Sequence, residues 1–213
     1  PDDESVPVLL QNNSIVTPFE AVTGMYSLPG RHDIDPTAIL APFYFLFFGL
    51  MLSDAAYGLI LTTLCAIILK KYKPEGTTHR MIKMFMFCGL STFMWGALFG
   101  GWFGNFFTVA AKTFFGKEFV IKPLWFDPLS EPMKLLVVSL ILGAIHLFVG
   151  MGVQAYMDIK DGRPLDALFD IGLWYLLLIG IVLFAFGGKL GAGAVGIGKI
   201  MAIIGAVGNL LTG

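Results

Sequence analysis

Long apolar blocks separated by short polar ones set the pattern of this chain. Residues 1–37 form a polar, acidic lead-in, with Asp2, Asp3, Glu4, Glu20, Asp33 and Asp35 between the prolines 7, 18, 29 and 36. It reads as the edge of a soluble domain or a linker. From Ala38 to Leu69 the chain is apolar except for Ser53, Asp54, Tyr57, Thr62 and Thr63. As one helix this block would run about 48 Å, too long for a hydrocarbon core of about 30 Å. A broken or re-entrant pair of short helices resolves the excess, with Gly49 and Gly58 as candidate break points. Four further apolar blocks, 82–106, 133–156, 165–186 and 197–211, each predict one membrane-spanning helix, with a glycine-rich link at 187–198 before the last. The pattern predicts an all-α, integral membrane fold: a polytopic helix bundle over residues 38–213.

Composition agrees. The 213 residues are 56% hydrophobic and 14% charged, where soluble domains carry about 25% charged residues. The charges fall between the apolar blocks and so mark loops. With a net charge of −1 and no dense basic tract, nothing points to a nucleic-acid partner. Cys65 and Cys88 sit inside apolar blocks, where they act as small buried hydrophobes. Pro1 at the start and Gly213 directly after an apolar run read as the ends of a piece of something longer.

Lys and Arg give the orientation. The loop at 70–83 holds Lys70, Lys71, Lys73, Arg80 and Lys83, and the turn at 157–166 holds Lys160 and Arg163. Both are expected on the cytoplasmic side, with 107–132 and 187–196 on the other. If the lead-in is cytoplasmic too, residues 38–69 enter and leave on one side. The stretch from Thr108 to Pro132 mixes Lys112, Lys117, Lys122 and Trp125 with apolar residues, as a membrane interface does.

Few residues carry candidate chemistry. Asp54 lies deep in an apolar block, where a charge costs at least about 2.5 kcal/mol and needs a partner or a proton. Tyr57, Gly58 and Thr62 share its helical face, so a structural hydrogen-bonding cluster is the first reading and a proton or ion relay the second. On the third span Ser139, Gly143, His146, Gly150 and Gln154 recur every three or four residues as one small, polar stripe. His146 and Gln154 serve there either as interhelical hydrogen-bonding groups or as a titrating relay. Gly96, Gly100 and Gly104 form a tandem small-xxx-small pattern for close helix packing, as Gly143 and Gly150 do on the third span. Gly191–Gly196 has no Gly-Lys-Ser/Thr behind it, so it is a link and not a nucleotide loop. The Asn12-Asn13-Ser14 glycosylation pattern is discounted as a chance match. No Ser/His/Asp or Cys/His set, no catalytic carboxylate pair and no metal cluster is visible, and the sequence calls for no cofactor.

Several of these blocks resemble a known family. They are Phe19–Thr23, Met25-Tyr26, Asp35-Pro36-Thr37, Pro42-Phe43 and Met51–Gly58, followed by Trp95–Gly104, Leu124–Leu129, Met133–Leu136 and Gly143–Gly150. In order and spacing they resemble the membrane half of the V-type rotary ATPase stator subunit, called a in eukaryotes and I in bacteria and archaea. The resemblance implies a non-catalytic, multi-pass subunit in a prokaryotic cell membrane, beside the rotating proteolipid ring. Its partners would be that ring, the peripheral stalks and other cytoplasmic subunits, and the lipid bilayer, with H⁺ or Na⁺ carried by the complex. The family's ion path runs past an essential arginine on one of its last two long helices. Here Arg31, Arg80 and Arg163 all lie outside the middle of a span. The chain therefore reads as the first part of the membrane domain without the arginine-bearing helices. The rival readings are a secondary transporter, which calls for an internal repeat, and a membrane scaffold protein.

Overall fold

The computed structural model describes residues 9–30, 33–104, 106–116, 121–189 and 192–212. Asp2, Asp3, Glu4, Pro7, Arg31, Lys117 and Gly191 lie outside them. Among the described residues the structure is helical and has no strand. In chain order the helices are α1 (Glu20–Tyr26), α2 (Thr37–Leu52), α3 (Ala55–Tyr72), α4 (Gly76–Phe99), α5 (Phe106–Phe115), α6 (Pro132–Lys160), α7 (Pro164–Asp166), α8 (Leu173–Phe186) and α9 (Ala192–Thr212), with a π-helical stretch at Ala167–Gly172. Five segments are long and apolar enough to cross a membrane: Ala55–Tyr72, Gly76–Phe99, Pro132–Lys160, Ala167–Phe184 and Gly193–Leu211. The protein is a multi-pass, all-α membrane protein. Its chain divides into two compact units, Pro1–Val137 and Val138–Gly213, with the boundary inside α6.

The first unit is organised by α4. The long apolar block is broken, and the break falls at Ser53-Asp54, not at Gly49 or Gly58. Ser53 takes a left-handed conformation (φ 44°) that ends α2, and Asp54 turns extended (φ −128°) to start α3. The two glycines are spent on packing instead. A side chain at Gly49 would collide with Ser91 of α4, and one at Gly58 with the backbone of Phe93. At 16 residues α2 spans only about 24 Å.

The order of contacts along α4 fixes the directions. Ala41 shares a buried cluster with Met84 and Cys88, and Gly49 meets Ser91, so α2 runs parallel to α4. Thr62 bonds the Met86 carbonyl, Gly58 meets Phe93, and Ala55 meets Gly96, so α3 runs back the other way. The pair is therefore a hairpin whose two outer ends lie together. Phe19 and Val22 of the lead-in complete the cluster at that end, with Phe19 stacked on Phe87. The span read as 82–106 is helical over Gly76–Phe99, because Gly100 adopts the left-handed region (φ 74°) and caps it.

The second unit is built on the antiparallel pair α8 and α9. Gly180 lies against Ala202, Gly198 against Phe184, and Gly205 against Leu177, each too close to admit a Cβ. Helix α9 begins at Ala192, inside the stretch read as a flexible link. The ring of Tyr175 stacks on Phe148 of α6 with centroids 5.1 Å apart, and its hydroxyl donates to the Phe148 carbonyl.

Candidate functional site

The tip of the α2–α3 hairpin holds Asp54, whose side chain is almost fully buried. Helix starts leave backbone N–H groups without intrahelical partners, and a carboxylate at the N-cap accepts from them. Asp54 Oδ1 accepts from the Ala56 N–H at 3.0 Å and the Tyr57 N–H at 3.2 Å. Its Oδ2 accepts from the Gly104 N–H at 3.0 Å, in the loop that leaves α4. The remaining N–H of that first turn, on Ala55, donates to the Gly101 carbonyl at 2.8 Å. The start of α3 is thus stitched on two sides to the end of α4. Gly96 makes the approach possible, since a side chain there would collide with the Ala55 nitrogen. A cavity of about 380 Å³ opens beside this knot, lined among others by Ser53, Asp54, Gly104, Thr108, Asp127 and Leu129.

The other residues singled out in the sequence scatter around this point. Tyr57 gives Asp54 its backbone N–H, while its ring sits edge-on to Phe103 at 5.0 Å. The Thr62 hydroxyl donates to the Gly58 carbonyl at 2.8 Å. The Asp54 carboxylate is therefore held by backbone N–H groups, not by the two hydroxyls on its face. Gly100 is a helix cap packed on Pro123, and Gly104 (φ 62°) has open space where a Cβ would stand. In the second unit His146 is exposed on α6, and Gly143 and Gly150 face open space. Gln154 donates to Asp158 at 3.3 Å, and Arg163 pairs with the same buried carboxylate at 3.1 Å.

A second polar cluster, at the outer end of the hairpin, has no counterpart in the sequence reading. Arg80 of α4 pairs with Glu20 of α1 at 3.0 Å, with the Glu20 side chain only 3% exposed. Asn12 donates to Glu20 at 3.0 Å and to Asp35 at 2.6 Å, and Lys83 donates to the Ser14 carbonyl at 3.0 Å. Burial alone would raise the Asp35 pKa. Hydrogen bonds from the Thr37 side chain and N–H and from Asn12 outweigh it and hold the group below the usual carboxylate value. An acidic lead-in and a basic loop are visible in the sequence, but only the hairpin brings Glu20 and Arg80 together. Asp170 was also passed over. It lies exposed in the π-helical stretch, within the fourth apolar span.

No family model matches the chain. Individual proteins do. It is 33% identical to A-type ATP synthase subunit I of Methanocaldococcus jannaschii over 95% of this chain and 33% of that protein. It is 35% identical to A-type ATP synthase subunit I of Pyrococcus horikoshii over 96% of this chain and 31% of that protein. Along nearly its whole length the chain is similar to ATP synthase subunit I. The bacterial branch is similar as well: V-type ATP synthase subunit I of Chlamydia trachomatis is 30% identical over 48% of this chain and 16% of that protein. The chain spans about one third of the length of the first two subunit I relatives. In this chain the blocks that carried the resemblance meet at the knot: Met51–Gly58 supplies the hairpin tip, and Trp95–Gly104 supplies the α4 end that clasps it.

Proposed function

We propose that this chain is membrane-embedded stator of a rotary, ion-translocating ATPase or ATP synthase, standing beside the proteolipid ring and itself non-catalytic. Its similarity to subunit I proteins along nearly its whole length carries the reading. The carried ion is H⁺ or Na⁺, the site is a prokaryotic cell membrane, and the partners are the peripheral stalks and other cytoplasmic subunits of the complex. The hairpin, α4 and the docked lead-in form one braced piece, as a part that resists torque requires.

These residues support the ion path and do not form it. Arg80 and Arg163 lie near helix ends and are engaged by Glu20 and Asp158, so neither serves a mid-membrane ion transfer. Asp54 is a structural cap. Gly96 is a packing contact, and Gly143, His146, Gly150 and Gln154 form a face of α6 for packing or relay against another helix of the complex.

Affinity purification of the tagged protein from its own membranes tests the proposal. It should bring down an ATP-hydrolysing complex with its proteolipid ring, and deletion of the gene should abolish ATP-driven ion uptake by inverted vesicles. A complex that assembles and pumps without this protein would overturn it.

A further inference from the structure

Helix α5, Phe106–Phe115, plays no part in the packing or the knot described above beyond lining the cavity with its first residues. At helical spacing Phe106, Phe107, Ala110 and Phe114 gather within an arc of about 100°, with Thr108 and Lys112 on the opposite side. The apolar face has little cover: Phe114 is 79% exposed and Phe106 58%. Lys112 is exposed on the other face.

Both flanks of α5 are tied to one place. Upstream, Gly104 is bonded to Asp54 and the Phe103 ring rests on Tyr57. Downstream, the Trp125 N–H donates to the Leu98 carbonyl at 2.9 Å, and Phe126 packs on Phe99 with centroids 5.0 Å apart. Leu98 and Phe99 are the last residues of α4, a helix long and apolar enough to cross a membrane. The end of such a helix marks a membrane boundary, so α5 is held at that depth. Trp125 and Leu124, also exposed, stand at the same level. An aromatic face with a lysine behind it, at this depth, fits the border between acyl chains and headgroups.

We propose that α5 is an interfacial anchor. It lies in the membrane plane with Phe106, Phe107 and Phe114 among the acyl chains and Lys112 at the lipid phosphates, and it steadies the loop that clasps Asp54. The proposal rests on the membrane reading of α3 and α4.

Spin labels placed one at a time test it, in the full chain with Cys65 and Cys88 replaced by Ala and reconstituted in phospholipid nanodiscs. A label at Phe114 should be open to oxygen and closed to a water-soluble nickel complex, about 5–10 Å below the phosphates. A label at Lys112 should be open to nickel. A Phe114 label as open to nickel as the Lys112 label puts the helix in water and overturns the anchor. A label closed to both reagents means that protein covers the face, which overturns it too. A reference label at Leu64, exposed on α3, should be deep in hydrocarbon. If it is open to nickel, the membrane reading fails first and the anchor with it.

Discussion

Asp54 accepts the Gly104 N–H through one carboxylate oxygen while the other caps α3. One side chain thus closes the hairpin tip and holds the α4 exit loop against it. Asp54→Asn keeps an N-cap acceptor but turns an amide N–H toward Gly104, losing that bond at a cost of about 1 kcal/mol. Asp54→Leu takes the acceptor from all three N–H groups, at about 1–3 kcal/mol for the buried Ala56 N–H and less for those of Tyr57 and Gly104, which water can reach. Assembled complex per membrane should fall slightly for Asn and collapse for Leu, while ion pumping per assembled complex should stay near normal for Asn. A normally assembled Asn variant that does not pump would place the carboxylate in the ion path.

Gly96 sits where α4 passes the Ala55 backbone. Over-packing at such a crossing costs about 1–3 kcal/mol even for one methyl. Gly96→Ala should lower the thermal midpoint of the purified protein, and Gly96→Leu should prevent its accumulation in the membrane. Gly104→Asn is the contrast: space is open there, Asn tolerates a positive φ, and the N–H to Asp54 survives. Its midpoint should stay close to that of the parent.

The helical, membrane-spanning class was legible because it rests on block length and charge scarcity, which need no tertiary information. The broken first block was legible for the same reason: a long apolar run must bend or break. The position of the break was not. Glycine is the usual suspect, yet Gly49 and Gly58 are used where helices touch, and Ser53-Asp54 breaks the chain because an aspartate can cap the helix that follows. The partners of Asp54 were missed because same-face spacing points to Tyr57 and Thr62 side chains, whereas a cap takes backbone N–H groups, one of them from a distant loop. The Glu20–Arg80 pair was out of reach, since it depends on the hairpin folding back.

The hairpin geometry makes a topological prediction. Single cysteines at Gln11 and Lys73, in a background with Cys65 and Cys88 replaced, should react with an impermeant maleimide from the same side of the membrane. One at Lys112, on the polar face of α5, should react from the opposite side. Reaction of Gln11 and Lys73 from opposite faces would contradict the parallel course of α2 and α4.

Asp35 gives the lead-in a pH dependence. Its folded pKa lies below its ordinary value, so its contribution is present above the unfolded value of about 3.9 and is lost as pH falls through the folded one. Protease release of residues 9–30 should be flat down to about pH 4 and rise below it. Asp35→Asn should flatten that rise.

Removing the two partners of the Glu20–Arg80 pair should have unequal effects. The Arg80 side chain is 45% exposed and Glu20 only 3%, so the charges do not face the same medium. With Glu20→Gln, Arg80 turns to water and the neutral amide still meets Asn12; the expected cost is below about 1 kcal/mol, as for a pair with one solvated member. With Arg80→Ala, the buried Glu20 carboxylate keeps the Asn12 hydrogen bond but loses its ion pair, at about 1–3 kcal/mol or more. Either route loosens α1 from α4, because Glu20 is also part of the turn that seats Phe19 on Phe87. Limited proteolysis of the lead-in should therefore be much faster for Arg80→Ala than for Glu20→Gln, and Arg80→Ala with Glu20→Gln should return close to the Gln variant. Equal rates for the two single variants would mean that the carboxylate is solvated and the pair is a surface contact.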